Sequence, residues 1–164
     1  EPWALVFSLV NPHDVLGYPS SFEEGGYSMD EWADLDAIGL PPSVDEILKN
    51  KPRAHALLKM GQLGFLGPIE GEQRLEYCRF YAHLHRLADS KIGRILDALG
   101  DQEDPESLRS KTVIFRTSDH GDLGMSHGGL RQKMLNAYEE TVNVPLIVSN
   151  PRLFPEARRT SAPA

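Results

Sequence analysis

Ser118-Asp119-His120-Gly121-Asp122-Leu123-Gly124-Met125-Ser126-His127-Gly128-Gly129-Leu130-Arg131-Gln132-Lys133 is the stretch on which the reading of this 164-residue chain turns. A β-rich run, Thr112 to Thr117, leads directly into it. A short helical stretch near Met134 to Glu140 and a second apolar run, Val144-Pro145-Leu146-Ile147-Val148, follow it. Runs of this length and composition read as strands. In open α/β sheets ligands gather beyond the carboxyl ends of strands, so the adjacent Asp119 and His120 stand where chemistry is expected. A hard carboxylate oxygen beside an imidazole nitrogen suits a shared cation. The bland reading of Asp-His-Gly alone is an Asx-type turn with a solvated histidine.

Upstream, Tyr77, Phe80, Tyr81, Leu84, Leu87, Ala88, Ile92, Ile95, Leu96 and Leu99 recur at three- and four-residue steps. Gly100 follows as a stop, so Gln73–Leu99 reads as a long amphipathic helix. At the start, Trp3-Ala4-Leu5-Val6-Phe7-Ser8-Leu9-Val10 is continuously apolar, as a strand buried on both faces would be, and Asn11-Pro12 ends it. Polar Asn11-Pro12-His13-Asp14 then occupies the second strand-terminal position. Between Asn11 and Gly71 glycines and prolines break any period. The one helix expected there is short, Val44 to Lys49 behind a Ser43 cap. Strand, long helix, strand, short helix, strand favours a three-layer α/β/α arrangement with a mostly parallel sheet.

Length suggests one domain able to bury about 70% of its unfolded surface. With 17 Lys and Arg against 24 Asp and Glu, the net charge of −7 and the lack of a basic run argue against nucleic acid as a partner. No apolar run approaches the 18 residues of a membrane span. The lone Cys78 allows neither an internal disulfide nor a cysteine-based zinc site, and leans the redox compartment toward a reducing, cytoplasmic one.

The longer string sharpens the site. Ser118 to Lys133, continued by Tyr138-Glu139-Glu140 and Val144-Pro145-Leu146-Ile147-Val148, resembles the type I sulfatases of the alkaline phosphatase superfamily, whose pattern there is S-D-H-G, a loop with H-G, a Lys, Y-E-E and V-P-L-I-V. Asn11-Pro12-His13-Asp14 looks like the family's P-H segment. Leu40-Pro41-Pro42 with Lys51-Pro52 is similar to a loop of choline-sulfatase-like members, and Gln73–Leu99 corresponds to the family's long helix. The resemblance covers residues 3–151, strongly in the second half and loosely over 15–71.

That resemblance implies hydrolysis of a small sulfate ester by a formylglycine nucleophile with a divalent metal, calcium first, manganese or magnesium next. Asp119 and His120 would be metal ligands; His13 and Lys133 would act as catalytic and substrate-binding groups on the sulfate. A metal and cations aimed at a departing oxygen stabilise charge where it forms, worth about 3 to 4 kcal/mol per donor. The chain departs from the family in two places. It has no C-x-P-x-R or S-x-P-x-R, and Cys78 reads as a packed core thiol. The N-terminal pair of aspartates that completes the family's metal site is also missing.

The expectation is therefore a partial catalytic domain over residues 1–164, an excised piece of a longer chain, inactive alone. Within it, 12–71 form an irregular substrate-side segment and 72–151 carry the long helix and the metal and anion site. A sheet cut from its neighbours would expose an apolar edge open to self-association. Two other functions remain open: a phosphodiesterase or phosphonate monoester hydrolase of the same superfamily, and a non-catalytic module on the same scaffold. Several side chains also keep two readings. His127 either supports the site or is a loop residue, Asp14 either extends the His13 site or caps a turn, and Asp122 either joins the site or bonds loop amides. Adjacent Glu139 and Glu140 diverge on a helix, which suits scaffold roles. His83 and His85 point to different helix faces, which argues against joint ligation.

Overall fold

The computed structural model describes residues 2–160, so the end of the polar tail, 161–164, lies outside the described residues. Helix α3, Glu72–Ala98, is the axis of the molecule and matches the expected long helix. Tyr77, Phe80 and Leu84 are wholly buried at its three- and four-residue steps, and Gly100, at φ 89°, ends it. Its buried face receives residues 13–38. These form a 3-10 turn (His13–Gly17), helix α1 (Ser20–Glu24) and a second 3-10 turn (Met29–Trp32) closed by a Ser28–Glu31 capping box. Phe80 is ringed by Tyr27 at 5.0 Å, Trp32 at 5.6 Å, Phe22 at 5.7 Å and Tyr18 at 5.9 Å between centroids. Such pairs add about 0.5–1.5 kcal/mol beyond area burial. Polar ties close the rim: Tyr18 donates to Glu76 at 2.8 Å, Arg86 holds both Asp34 oxygens at 2.9 Å, and Arg79 meets Asp36 at 3.1 Å.

The segment expected to hold one short helix is more ordered than its punctuation suggests. Helix α2, Arg53–Leu66, starts behind Pro52, whose fixed φ suits a helix start, and runs through Gly61 and Gly64. It buries only Leu58 and Gln62. Gln62 docks it: its side-chain oxygen accepts from the Arg131 amide at 2.9 Å, and its side-chain amide donates to the Arg131 carbonyl. The helix expected at Val44–Lys49 is replaced by a turn and a 3-10 segment, Leu48–Asn50. Ser43 does not cap there because its hydroxyl and carbonyl accept from the amides of His127 (3.0 Å) and Gly128 (2.8 Å).

Helix α4 (Leu108–Lys111), capped by Ser107, leads into strand β1, Ile114–Thr117. Strand β2 is Leu146–Ser149. The mostly parallel three-layer sheet is not what the described residues form. Their one sheet pairs β1 with β2 antiparallel, Ile114 opposite Ser149 and Thr117 opposite Leu146. The connection over 118–145 doubles back on itself, Gly121 donating to the Thr141 carbonyl at 2.8 Å, and so returns the chain in the reverse direction. Trp3–Val10 is not a strand: an extended run needs a hydrogen-bonded neighbour, and here Val6 and Val10 stay 88% and 73% exposed. The fold is thus a mixed helix and strand assembly around α3.

Within the connection, Ser126–Gly129 forms a kinked turn, α5, and Glu139–Val142 a short helix, α6. Helix starts only at Glu139, not Met134, because Leu135 is left-handed at φ 57°. Asn136 instead accepts from the Tyr138 amide (3.2 Å) and the Thr141 hydroxyl (2.8 Å). Leu123 and Leu130 join Leu58 in a second small core, while Met125 reaches the first. The glycine-rich loop is thereby packed into the molecule.

Candidate functional site

The site grows from the end of β1. Past Thr117 the chain kinks through Ser118, whose hydroxyl donates to the His120 carbonyl at 2.7 Å, while the His120 amide donates to Asp119 Oδ1 at 3.0 Å. This local knot turns two consecutive side chains to one side. His120 Nδ1 lies 2.9 Å from the Gly121 carbonyl, which can only accept, so Nδ1 donates to it. Nε2 lies 3.4 Å from Asp119 Oδ2. In its neutral form the imidazole would offer Nε2 beside Asp119 Oδ2 to a cation, and an imidazole tied through its other nitrogen to a carbonyl is the usual posture of a metal-ligating histidine.

The donor set therefore fits a divalent cation, as two ligands. Among the described residues no group of three or more His, Cys, Asp or Glu side chains could hold a metal ion. Desolvation, the largest single influence, raises the Asp119 carboxyl, but the His120 charge, backbone amides and Lys133 together outweigh it and hold the group below the ordinary carboxylate range. Lys133 is half-buried, and its charge is felt by both Asp119 and Asp122. The structure thus brings Asp119, His120, Asp122 and Lys133 into one electrostatic neighbourhood.

Asp122 faces inward. Burial pushes its carboxyl up, against the amides of Gly124 and Gln132 and the charges of Lys133 and His120. Its Oδ1 accepts from the Gly124 amide at 2.8 Å and from the Tyr77 hydroxyl at 3.5 Å.

His13 begins the first 3-10 turn and is exposed; among the described residues it makes no hydrogen bond or ion pair to Asp119, His120 or Lys133. Asp14 is engaged locally, accepting from the Tyr27 hydroxyl at 3.0 Å while its carbonyl accepts from Ser21. Cys78 is buried in α3, its thiol pushed up to about 11 by burial, 3.8 Å from the Gly124 carbonyl. His83 is buried beneath Trp32 with Nδ1 3.2 Å from Arg86.

His127 has partners that its position in the sequence does not suggest. Its Nδ1 lies 2.8 Å from Glu46, its Nε2 3.2 Å from Glu140, and its ring stacks on Tyr138 at 3.7 Å. Lys51 completes the clasp, 3.1 Å from Glu46. Only the Tyr138-Glu139-Glu140 run following the loop hinted at this partnership; Glu46 lies 81 residues away in sequence.

The family model described as Sulfatase matches residues 1–164. Arylsulfatase K of Xenopus laevis is 33% identical over 85 residues, covering 51% of this chain and 15% of that protein. Arylsulfatase K of Gallus gallus is 38% identical over 72 residues, covering 44% and 12%. The chain thus spans between 12% and 15% of the length of these relatives. The crystal structure of a "putative sulfatase" from Bacteroides thetaiotaomicron superposes with a TM-score of 0.62 at 22% identity, over 86% of this chain and 30% of that one, a likeness of fold. The chain belongs to the sulfatase family.

Proposed function

We propose that these residues form one half of a sulfatase active site, the half that holds a divalent cation and faces the sulfate of a small ester. The observation that carries this reading is the Asp119–His120 pair, Oδ2 and Nε2 3.4 Å apart at a strand end. Asp119 Oδ2 and His120 Nε2 would hold the cation, calcium first by family resemblance and manganese or magnesium next. Bound there, a divalent cation supplies positive charge to a sulfate oxygen. Lys133, whose charge acts on Asp119, would add a second positive charge to the site, and His13 would supply a further donor to the bridging oxygen. Asp119 and His120 are anchored by Ser118 and Gly121, so they need no reorganisation as charge develops, the condition under which such groups are most effective.

The nucleophile, a formylglycine, and the remaining metal ligands lie outside these 164 residues. The reading rests on the missing C-x-P-x-R motif and the small share of its relatives that the chain covers.

The full-length enzyme and the isolated chain, each assayed on 4-nitrophenyl sulfate and 4-nitrophenyl phosphate, test this. Turnover of the sulfate by the full-length enzyme, exceeding that of the phosphate, with none by the isolated chain, is expected. Preference for the phosphate ester, or robust sulfate hydrolysis by the chain alone, would contradict it.

A further inference from the structure

His127 has a left-handed backbone at φ 51°, a conformation that a residue with a Cβ keeps only where its neighbours hold it. Its amide donates to the Ser43 hydroxyl at 3.0 Å, and its ring lies flat on Tyr138 at 3.7 Å. Each ring nitrogen meets a carboxylate, Nδ1 with Glu46 Oε2 at 2.8 Å and Nε2 with Glu140 Oε2 at 3.2 Å. As imidazolium the ring donates to both at once.

The Glu140 end of this tie leads to the site. Glu140 lies in the first turn of α6, and its backbone carbonyl packs so closely on Gly121 that no Cβ would fit there. The next carbonyl, that of Thr141, accepts from the Gly121 amide at 2.8 Å. The Gly121 carbonyl in turn accepts from His120 Nδ1 at 2.9 Å. An unbroken series of contacts therefore runs from the His127 ring, through α6 and Gly121, to the ring of His120. With four residues, α6 is too short to hold its own place. Two side chains tie it down, Thr141 to Asn136 at 2.8 Å and Glu140 to His127.

We propose that His127 is a positioning residue: by clasping Glu140 it holds α6 against Gly121 and so fixes the direction in which His120 presents Nε2 beside Asp119. This rests on the reading of Asp119 and His120 as cation ligands given above. His127 touches no reacting atom in this account and acts through Glu140 and Gly121. A ligating imidazole is aimed by the partner of its other nitrogen, and loss of such a partner costs about 10- to 100-fold in metal affinity or activity. His127 stands further out, behind that partner, which sets the expected effect at the lower end of the range.

The test is calcium binding to the full-length enzyme by titration calorimetry after chelation, with amide hydrogen exchange over residues 118–124 in the calcium-free state. His127→Ala is expected to weaken calcium binding about tenfold and to speed exchange over 118–124. Glu140→Ala should do the same, and the double variant should be no worse than either single one, because both break one tie. Glu140→Gln, which keeps an acceptor oxygen for His127 Nε2–H, should recover most of the loss. A role confined to stability would lower Tm while calcium affinity and exchange over 118–124 stay at wild-type values, and that result would overturn the inference. Additive losses in the double variant would overturn it as well. Where His127→Ala does not fold, the two Glu140 variants decide: weaker binding with alanine and recovery with glutamine supports the inference, whereas wild-type binding with alanine, or an equal loss with glutamine, overturns it. His120→Ala separates the two levels. If it leaves calcium affinity intact, the reading of His120 as a ligand fails and the inference with it. If it weakens binding while the His127 and Glu140 variants do not, only the positioning role fails.

Discussion

Gly121 sits against Glu140 so closely that a Cβ at position 121 would lie 2.0 Å from the Glu140 carbonyl oxygen. The Gly121 amide simultaneously donates to the neighbouring Thr141 carbonyl at 2.8 Å. The strand end that carries Asp119 and His120 is thereby pinned to the first turn of α6, and the clash is with backbone, which cannot swing aside. Gly121→Ala is expected to destabilise the fold by about 3 kcal/mol, the upper range of overpacking. A shifted denaturant midpoint at constant m-value would report it, and a midpoint within error of wild type would contradict the close approach.

Phe80 is fully buried among Tyr18, Phe22, Tyr27 and Trp32. Truncation there removes the ring on which residues 13–32 pack. Phe80→Ala should cost about 3–5 kcal/mol, and protease sensitivity should appear first in that segment. A loss below about 1 kcal/mol in chemical denaturation would show that the ring cluster does not hold the segment.

The His127 clasp gives the molecule an acid dependence. Hydrogen bonds from His127 first, then from Lys51, hold the Glu46 carboxyl below the ordinary glutamate range against slight desolvation. A carboxyl with a depressed folded-state value contributes stability above the unfolded-state value and loses it as pH falls through the folded one. The tie between the 43–51 segment and the glycine-rich loop should therefore weaken below the ordinary glutamate range. Stability curves of wild type and Glu46→Gln should converge on acidification and separate toward neutral pH. Curves that stay parallel would exclude Glu46 from the clasp's pH dependence.

How far the sequence reveals this structure depends on how local the determining contacts are. The three- and four-residue recurrence of Tyr77, Phe80 and Leu84 is written within one helix, so α3 was legible almost to the residue. Asp119 and His120 were legible because a strand end places them. Helix α2 was not, because Gly61 and Gly64 interrupt its pattern and its docking depends on Gln62 reaching Arg131, 69 residues away. Trp3–Val10 has a strand's composition, but strands exist by pairing, and pairing partners are not encoded in the run itself. The partners of His127 were hidden for the same reason, since Glu46 reaches it only through the fold.

The pairing of Asp119 with His120 carries the whole functional account, and one measurement addresses it directly: turnover of 4-nitrophenyl sulfate by full-length Asp119→Ala against wild type, in excess calcium, with circular dichroism on both. Asp119 is exposed and buries nothing, so the fold should be unchanged. Turnover should fall on the order of a hundredfold or more, the scale of removing one charge-stabilising group from such a site. Unaltered turnover in a folded variant would contradict the assignment of this pair to the metal.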